Sequence, residues 1–161
     1  MRKFLILFIV SLLTFAGVTA SQGGEASPHV LTNPSDIQWG DPPAVFEKGA
    51  RFAVMSGDPG AEGLYTVRLK LPAGYKIAPH WHPTDEHVTV LSGKLALGMG
   101  ETFDTDAMSD IETGGYVLLP ANMRHYAMAQ TDAVIEVYGP GPFVLTYVNP
   151  ADDPSKRLAT E

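Results

Sequence analysis

Two histidines one residue apart, followed by a carboxylate, form the most chemically informative segment of the chain. His80 and His82 should share one face of an extended strand, because strand side chains alternate with a period of two. Glu86 follows a short turn at residues 83–85, and His125 offers a third imidazole on a later strand. Three neutral imidazoles and one carboxylate suit a borderline divalent transition metal. The residues therefore predict one metal ion per chain.

Such a ligand set indicates an open metal centre. Four protein ligands leave about two positions free on a metal that prefers six, whereas a structural zinc site is closed at four. Water, dioxygen or a chelating substrate could bind at the free positions, where a metal polarises an oxygen or lowers the pKa of a bound water. The set is compatible with Fe, Mn, Ni, Zn and Cu.

Other candidate residues have simpler interpretations. His29 and His87 are expected at the surface, since alternation points His87 away from Glu86. The acidic segment 101–112 invites a calcium interpretation, but it lacks the glycine and the final carboxylate of an EF-hand loop. We interpret it as a solvated acidic hairpin tip.

The elements that position these residues should be short strands. The chain has 16 Gly and 13 Pro among 161 residues, which favours a turn-rich β fold over a helical one. Residues 65–71 alternate apolar and polar side chains, as in a half-buried antiparallel strand. Residues 88–91 and 94–99 are predicted to form a hairpin around Gly93. The pattern predicts an all-β sandwich or closed barrel of antiparallel strands.

Two motifs resemble those of the cupin superfamily. The anchors of the first motif are all present, at Gly74, His80, His82, Glu86 and Gly93. They follow the cupin order of a glycine, a His-x-His pair, a glutamate and a closing glycine.

The second motif matches at Gly114, Pro120 and His125. Asn122 replaces its inner glycine, and this is tolerable because Asn also enters the left-handed region of a tight turn. Ala129 replaces its final Asn, which costs no metal ligand. The chain is thus similar to small, single-domain bacterial cupins. The resemblance implies a jelly-roll or double-stranded β-helix barrel, with His80, His82, Glu86 and His125 as metal ligands.

The chain divides into four predicted regions. Residues 1–20 resemble a signal peptide, with Arg2 and Lys3 before an apolar run and small residues before Ala20. The alternative of a membrane anchor needs roughly 18–20 apolar residues, and the run is shorter. Residues 21–43 are expected to be extended or disordered, 44–149 to form the cupin domain, and 150–161 to be a C-terminal tail. We therefore expect an exported, periplasmic or secreted protein that does not bind membranes after cleavage.

Composition argues against several function classes. A net charge of −7 without a basic stripe argues against a nucleic-acid partner. Cysteine is absent, so no thiolate can act as nucleophile or ligand. No serine-nucleophile elbow, P-loop or Rossmann glycine motif occurs. Fe(II) is readily oxidised in an exported protein, and this favours manganese or zinc.

Two function classes remain, with a purely structural metal as a third alternative. The first, which the complete ligand set favours, is a metal-dependent enzyme, of dioxygenase, decarboxylase or isomerase type, acting on a small oxygen-rich or carboxylate substrate. The second is a binding or sensing module that holds a small ligand without turnover. A non-ligand titratable group lining the cavity would favour the enzyme. The residues to inspect are Tyr65, Tyr116, Tyr138 and Lys76.

The resemblance also implies a homodimer, since cupins commonly pair their sheets. The segment 32–46 is apolar enough, through Ile37, Trp39, Val45 and Phe46, to lie across the sheet edge of a neighbouring copy. Such pairing would cover an exposed strand edge.

Overall fold

Short strands account for most of the chain between residues 51 and 147. The computed structural model describes residues 29–157, so the predicted signal peptide lies outside the described part. The strands are β1 Arg51–Ser56, β2 Gly63–Leu71, β3 Lys76–Trp81, β4 Glu86–Ser92, β5 Lys94–Met99, β6 Ser109–Glu112, β7 Tyr116–Leu119, β8 His125–Ala129, β9 Ala133–Gly141 and β10 Thr146–Tyr147. Three 3-10 turns are Pro34–Asp36, Thr105–Ala107 and Pro150–Asp152, and a short helix, α1, is Pro154–Arg157.

The strands form two five-stranded sheets. The first has the order β1-β2-β9-β4-β7 and the second the order β10-β3-β8-β5-β6. Every strand pair in both sheets is antiparallel. The predicted all-β jelly roll is confirmed. No helix in residues 29–157 has the length and apolarity that a membrane crossing requires.

The core lies between the two sheets and follows the predicted alternation. Along β2, Tyr65, Val67, Leu69 and Leu71 are each no more than 3% exposed, while the residues between them face outward. Side chains from β4, β5 and β9 meet them from the same sheet and from across the sandwich. This apolar interior surrounds the ends of the strands that carry the histidines.

The predicted hairpin around Gly93 is wrong. β4 pairs with β7 and β9 in the first sheet, whereas β5 pairs with β6 and β8 in the second. Gly93 has φ = 78°, and a Cβ there would collide with the carbonyl oxygen of Asp132. The glycine therefore turns the chain around the corner from one sheet to the other. Two alternating strands on either side of a glycine give the same sequence signal whether they pair as a hairpin or join different sheets.

The N-terminal segment closes one side of the sandwich. Gly40 pairs with Phe52 of β1 through two backbone hydrogen bonds of 2.8 and 3.0 Å. Farther along, the hydroxyl of Tyr75 donates to the carbonyl of Glu47 at 2.7 Å, and that of Tyr147 donates to the carbonyl of Val45 at 2.7 Å. The segment thus lies against its own chain and places Phe46 in the core.

Candidate metal centre

The four predicted ligands come from adjacent strand ends. His80 of β3 lies directly opposite His125 of β8 in the antiparallel register. His82 follows the end of β3, and Glu86 begins β4 after the turn. All four side chains point into the sandwich, with exposures of 8% or less. The structure therefore brings the predicted residues together in one buried place.

The three imidazoles converge, and each Nδ1 atom is engaged in a hydrogen bond to the backbone. One ring nitrogen from each of His80, His82 and His125 lies within 4.8 Å of the others, a group that could hold a metal ion. The Nδ1 atoms bond to the backbone carbonyls of Ala78 at 2.8 Å, Val144 at 2.7 Å and Met123 at 3.0 Å, respectively. A carbonyl can only accept, so each Nδ1 carries the proton and each Nε2 keeps a free lone pair. Histidines that bind metals are oriented by such carbonyl partners.

Glu86 lies beside this group. Its Oε2 is 3.4 Å from the Nε2 of His82 and 3.4 Å from the Nε2 of His125. The Nε2 of His82 is buried and has no hydrogen-bond partner, an arrangement that is costly for a polar atom unless something binds there. A metal ion fits this donor set, because it would accept that lone pair and offset the buried carboxylate.

The electrostatics favour the protonation state that a metal needs. Burial, together with the neighbouring histidines, lowers the pKa of His80 to about 3. Burial likewise lowers the pKa of His82, although Glu86 opposes the shift. Burial alone would raise the pKa of Glu86, but the adjacent imidazoles of His125, His82 and His80 outweigh it and keep the pKa low. At neutral pH these shifts keep His80 and His82 neutral and Glu86 ionised, which are the metal-binding forms.

The cavity next to the site is small and apolar. The space open to the centres of water-sized molecules is about 40 Å³. His80, Glu86 and His125 supply its polar groups, and the other lining side chains are aliphatic or phenylalanine. Sequence reasoning missed Phe143, whose ring centroid lies 5.4 Å from that of His82. Its position after the Gly141-Pro142 pair gave no signal of this role.

Most of the other residues singled out in the sequence lie away from the cavity. His87 bonds to the hydroxyl of Tyr116 at 2.7 Å and stacks on Tyr138, so all three lie on the outer face of the first sheet. Lys76 is exposed over the ring of Phe103.

Tyr65 is the exception among them, because it is buried near the site. Burial, with the charge of Glu86, raises its pKa.

The acidic segment 101–112 does not form a metal-binding group. Among residues 29–157, only the three histidines form a group of side chains that could hold a metal ion.

Solved structures show the same fold. The polyketide cyclase RemF from Streptomyces resistomycificus superposes with a TM-score of 0.64 at 15% identity, over 82% of this chain and 94% of that one. A candidate acetylacetone dioxygenase from Methylibium petroleiphilum PM1 gives 0.62 at 21% identity, over 84% and 96%. A chain of the Rhodobacter sphaeroides complex of SigE with the anti-sigma ChrR gives 0.50 at 17%, over 66% and 51%. At these identities the likeness shows the fold alone.

Sequence comparison is more specific. No curated protein sequence gives a significant match. The profile of the family described as the ChrR cupin-like domain matches residues 27–143, well over half of the chain. The match includes both cupin motifs and all four predicted ligands. The chain therefore belongs to the ChrR cupin-like domain family of the cupin superfamily.

Proposed function

We propose that the protein is a metal-binding cupin in which His80, His82, His125 and Glu86 hold one divalent transition metal. The observation that carries the proposal is the convergence of three Nε2 lone pairs whose Nδ1 atoms are all engaged by backbone carbonyls. The unpartnered Nε2 of His82 supports it independently. Manganese and zinc are the preferred ions, with Fe, Ni and Cu also compatible with three nitrogens and one oxygen.

We further propose that the metal centre binds a small ligand rather than transforming one. When bound, a metal with open positions would polarise a coordinated oxygen or nitrogen. Acid–base chemistry also needs a proton donor or acceptor within reach of the ligand. The cavity offers none besides the proposed metal ligands, since the rest of its lining is apolar. This favours the binding module over the enzyme.

A metal-dependent enzyme is the second candidate, and one observation favours it. Tyr65 is buried, and Glu86 lies near enough to help to raise its pKa. A phenol that stays protonated in an apolar site can donate a hydrogen bond to a substrate oxygen. Dioxygenation, decarboxylation or isomerisation of a small oxygen-rich or carboxylate substrate would then be the reaction type.

Ligand binding and turnover can be separated by measuring both on one metal-loaded preparation. The binding module predicts that azide or formate binds only when metal is present, and that no product forms from carboxylates, diketones or phenols with any of the five metals. Product formation that Tyr65→Phe abolishes while metal content is unchanged would establish the enzyme instead. Tyr138→Phe, on the outer face, is the matched control.

Export and homodimer formation belong to the same proposal. Residues 1–20 supply the signal-peptide pattern. The first sheet ends at β7, whose Tyr116 and Leu118 are 53% and 44% exposed. Exposed apolar edge strands are commonly covered by a second copy in oligomers.

A further inference from the structure

A thin wall of three apolar side chains separates the metal cavity from a pocket on the protein surface. Phe52, Phe143 and Leu145 line the internal cavity, and the same three residues line an open surface pocket of about 360 Å³. The remainder of that pocket is formed by Pro43, Val45, Pro59, Gly60 and Val144. The inner and outer spaces are therefore one side chain apart at this point.

Phe143 is the member of this wall that lies against a proposed metal ligand. Its ring centroid is 5.4 Å from that of His82 and 5.9 Å from that of Tyr65. On another side it stacks on Phe46 at 6.1 Å with an interplanar angle of 6°. The ring therefore fills the space between the surface pocket and the imidazoles.

The backbone around Phe143 connects this wall to the site. Its N–H donates to the carbonyl of Pro59 at 2.7 Å, and the next carbonyl, of Val144, accepts from Nδ1 of His82 at 2.7 Å. The segment between β9 and β10 thus carries both the wall and the group that orients one imidazole. A ligand that displaces the ring would meet the metal-binding nitrogens directly.

The size of the inner cavity limits what can bind while Phe143 stays in place. A water needs roughly 10–15 Å³ of such space, so a cavity of about 40 Å³ admits only about three water-sized groups. A bound metal ion would take part of that space. A larger ligand would have to overlap the Phe143 ring or the aliphatic lining.

We propose that the surface pocket is the access route to the metal cavity and that Phe143 sets the size of the ligand that reaches the metal. The ligand class is then a small molecule or ion of no more than about three non-hydrogen atoms. Replacing Phe143 with a smaller side chain joins the two spaces, so that a chelating group can reach the metal while its apolar part occupies the surface pocket. The proposed access route does not depend on the proposed function. The proposal that the ligand binds the metal does rest on the proposed function.

The route is tested first on metal-free protein, so that the result does not depend on metal binding. Diethylpyrocarbonate, which modifies neutral imidazoles, is added, and the rate at each histidine is read by mass spectrometry with exposed His29 as the internal reference. We expect Phe143→Ala to raise the rate at His82 by about tenfold or more, the scale of one lost packing group. Phe103→Ala, whose ring packs on Tyr126, should leave the rate unchanged.

Phe46→Ala tests a competing access route, since Phe46 lines both the inner cavity and a different surface pocket. A faster His82 reaction in Phe46→Ala together with an unchanged rate in Phe143→Ala would overturn the access route. An unchanged rate in both variants would also overturn it. Should Phe143→Ala lose its folded β spectrum, Phe143→Leu carries the same test.

The size limit is tested on the Co(II)-loaded protein through the visible absorption of the metal. Wild type should bind azide, a triatomic anion, and should bind benzohydroxamate at least about tenfold more weakly. Phe143→Ala should reduce or reverse this preference for azide. Wild-type protein that binds benzohydroxamate as tightly as azide would overturn the size limit. If Co(II) does not bind while the labelling result holds, the proposed function fails and the access route stands.

Discussion

At the residue scale, the site is built by the partners of the histidines as much as by the histidines themselves. The carbonyls of Ala78, Met123 and Val144 each accept a hydrogen bond from the Nδ1 of one histidine. These bonds fix the tautomer in which Nε2 is free for a metal. The motif in the sequence names the imidazoles, but backbone acceptors have no sequence signature and become visible only in the folded chain.

The buried histidines should make the metal-free protein acid-sensitive. The pKa of His80 is lowered from 6.5 to about 3, so between these pH values the unfolded chain binds a proton that the folded chain does not. Stability is therefore retained above pH 6.5 and falls as the pH drops, by about 2 kcal/mol at pH 5 for this one group. His80→Gln should flatten the pH dependence of the urea midpoint between pH 7 and 5. His29→Gln, an exposed control, should not, and equal slopes in all three proteins would contradict the expectation.

Glu86 should tune the metal more than it supports the fold. Its carboxylate lies 3.4 Å from two Nε2 atoms and supplies the only negative charge among the proposed ligands. We expect Glu86→Gln to keep the β circular dichroism spectrum and to weaken metal affinity by about 10–100-fold, the scale found when metal-site partners are lost. The matched control is Glu112→Gln, on the exposed face of β6. Unchanged affinity in Glu86→Gln would remove the carboxylate from the ligand set.

At the element scale, local patterns predicted the strands but not all of their partners. β5 has the predicted bounds, and Asn122 adopts φ = 66°, the left-handed conformation expected of a residue that replaces a motif glycine. The predicted hairpin around Gly93 failed, because alternation says which face is buried and not which sheet a strand joins. Pairing depends on contacts distant in sequence, such as that of β4 with β9.

Gly93 offers a direct test of the corner between the sheets. Gly93 and Gly74 have similar φ values, 78° and 80°, but an added Cβ meets the carbonyl of Asp132 at the first and nothing within 4 Å at the second. Both alanine variants should lose about 1–2 kcal/mol for the left-handed backbone. Gly93→Ala should lose about 1–3 kcal/mol more from the collision. Urea unfolding measures both, and equal losses would show that the corner is not tightly packed.

At the scale of the whole molecule, a shared fold carries a buried cluster of histidines. The family match covers residues 27–143, and the strands lie within the predicted 44–149 region. The motif spacings were enough to predict the jelly roll and the convergence of the three histidines. The size of the cavity and the wall at Phe143 depend on how distant side chains pack, and a single sequence does not encode these in any local pattern.

The homodimer is a prediction for the whole molecule. Gly40 pairs with Phe52 within the same chain, so the segment 32–46 already occupies part of the β1 edge. The exposed Tyr116 and Leu118 on edge strand β7 are then the apolar surface that a second copy would cover. Sedimentation at micromolar concentration should give twice the chain mass. Leu118→Lys should lower the mass toward that of one chain, whereas a wild-type monomer would contradict the prediction.

The metal is the central claim, and a titration of chelator-stripped protein with Mn(II) and Zn(II), followed by elemental analysis, tests it most directly. Wild type and His87→Ala, whose histidine lies on the outer face, should each bind one ion per chain. His80→Ala, His82→Ala and His125→Ala should each lose most of that metal while keeping the β fold. Wild-type protein that retains no divalent ion, or His80→Ala that retains as much as wild type, would contradict the account.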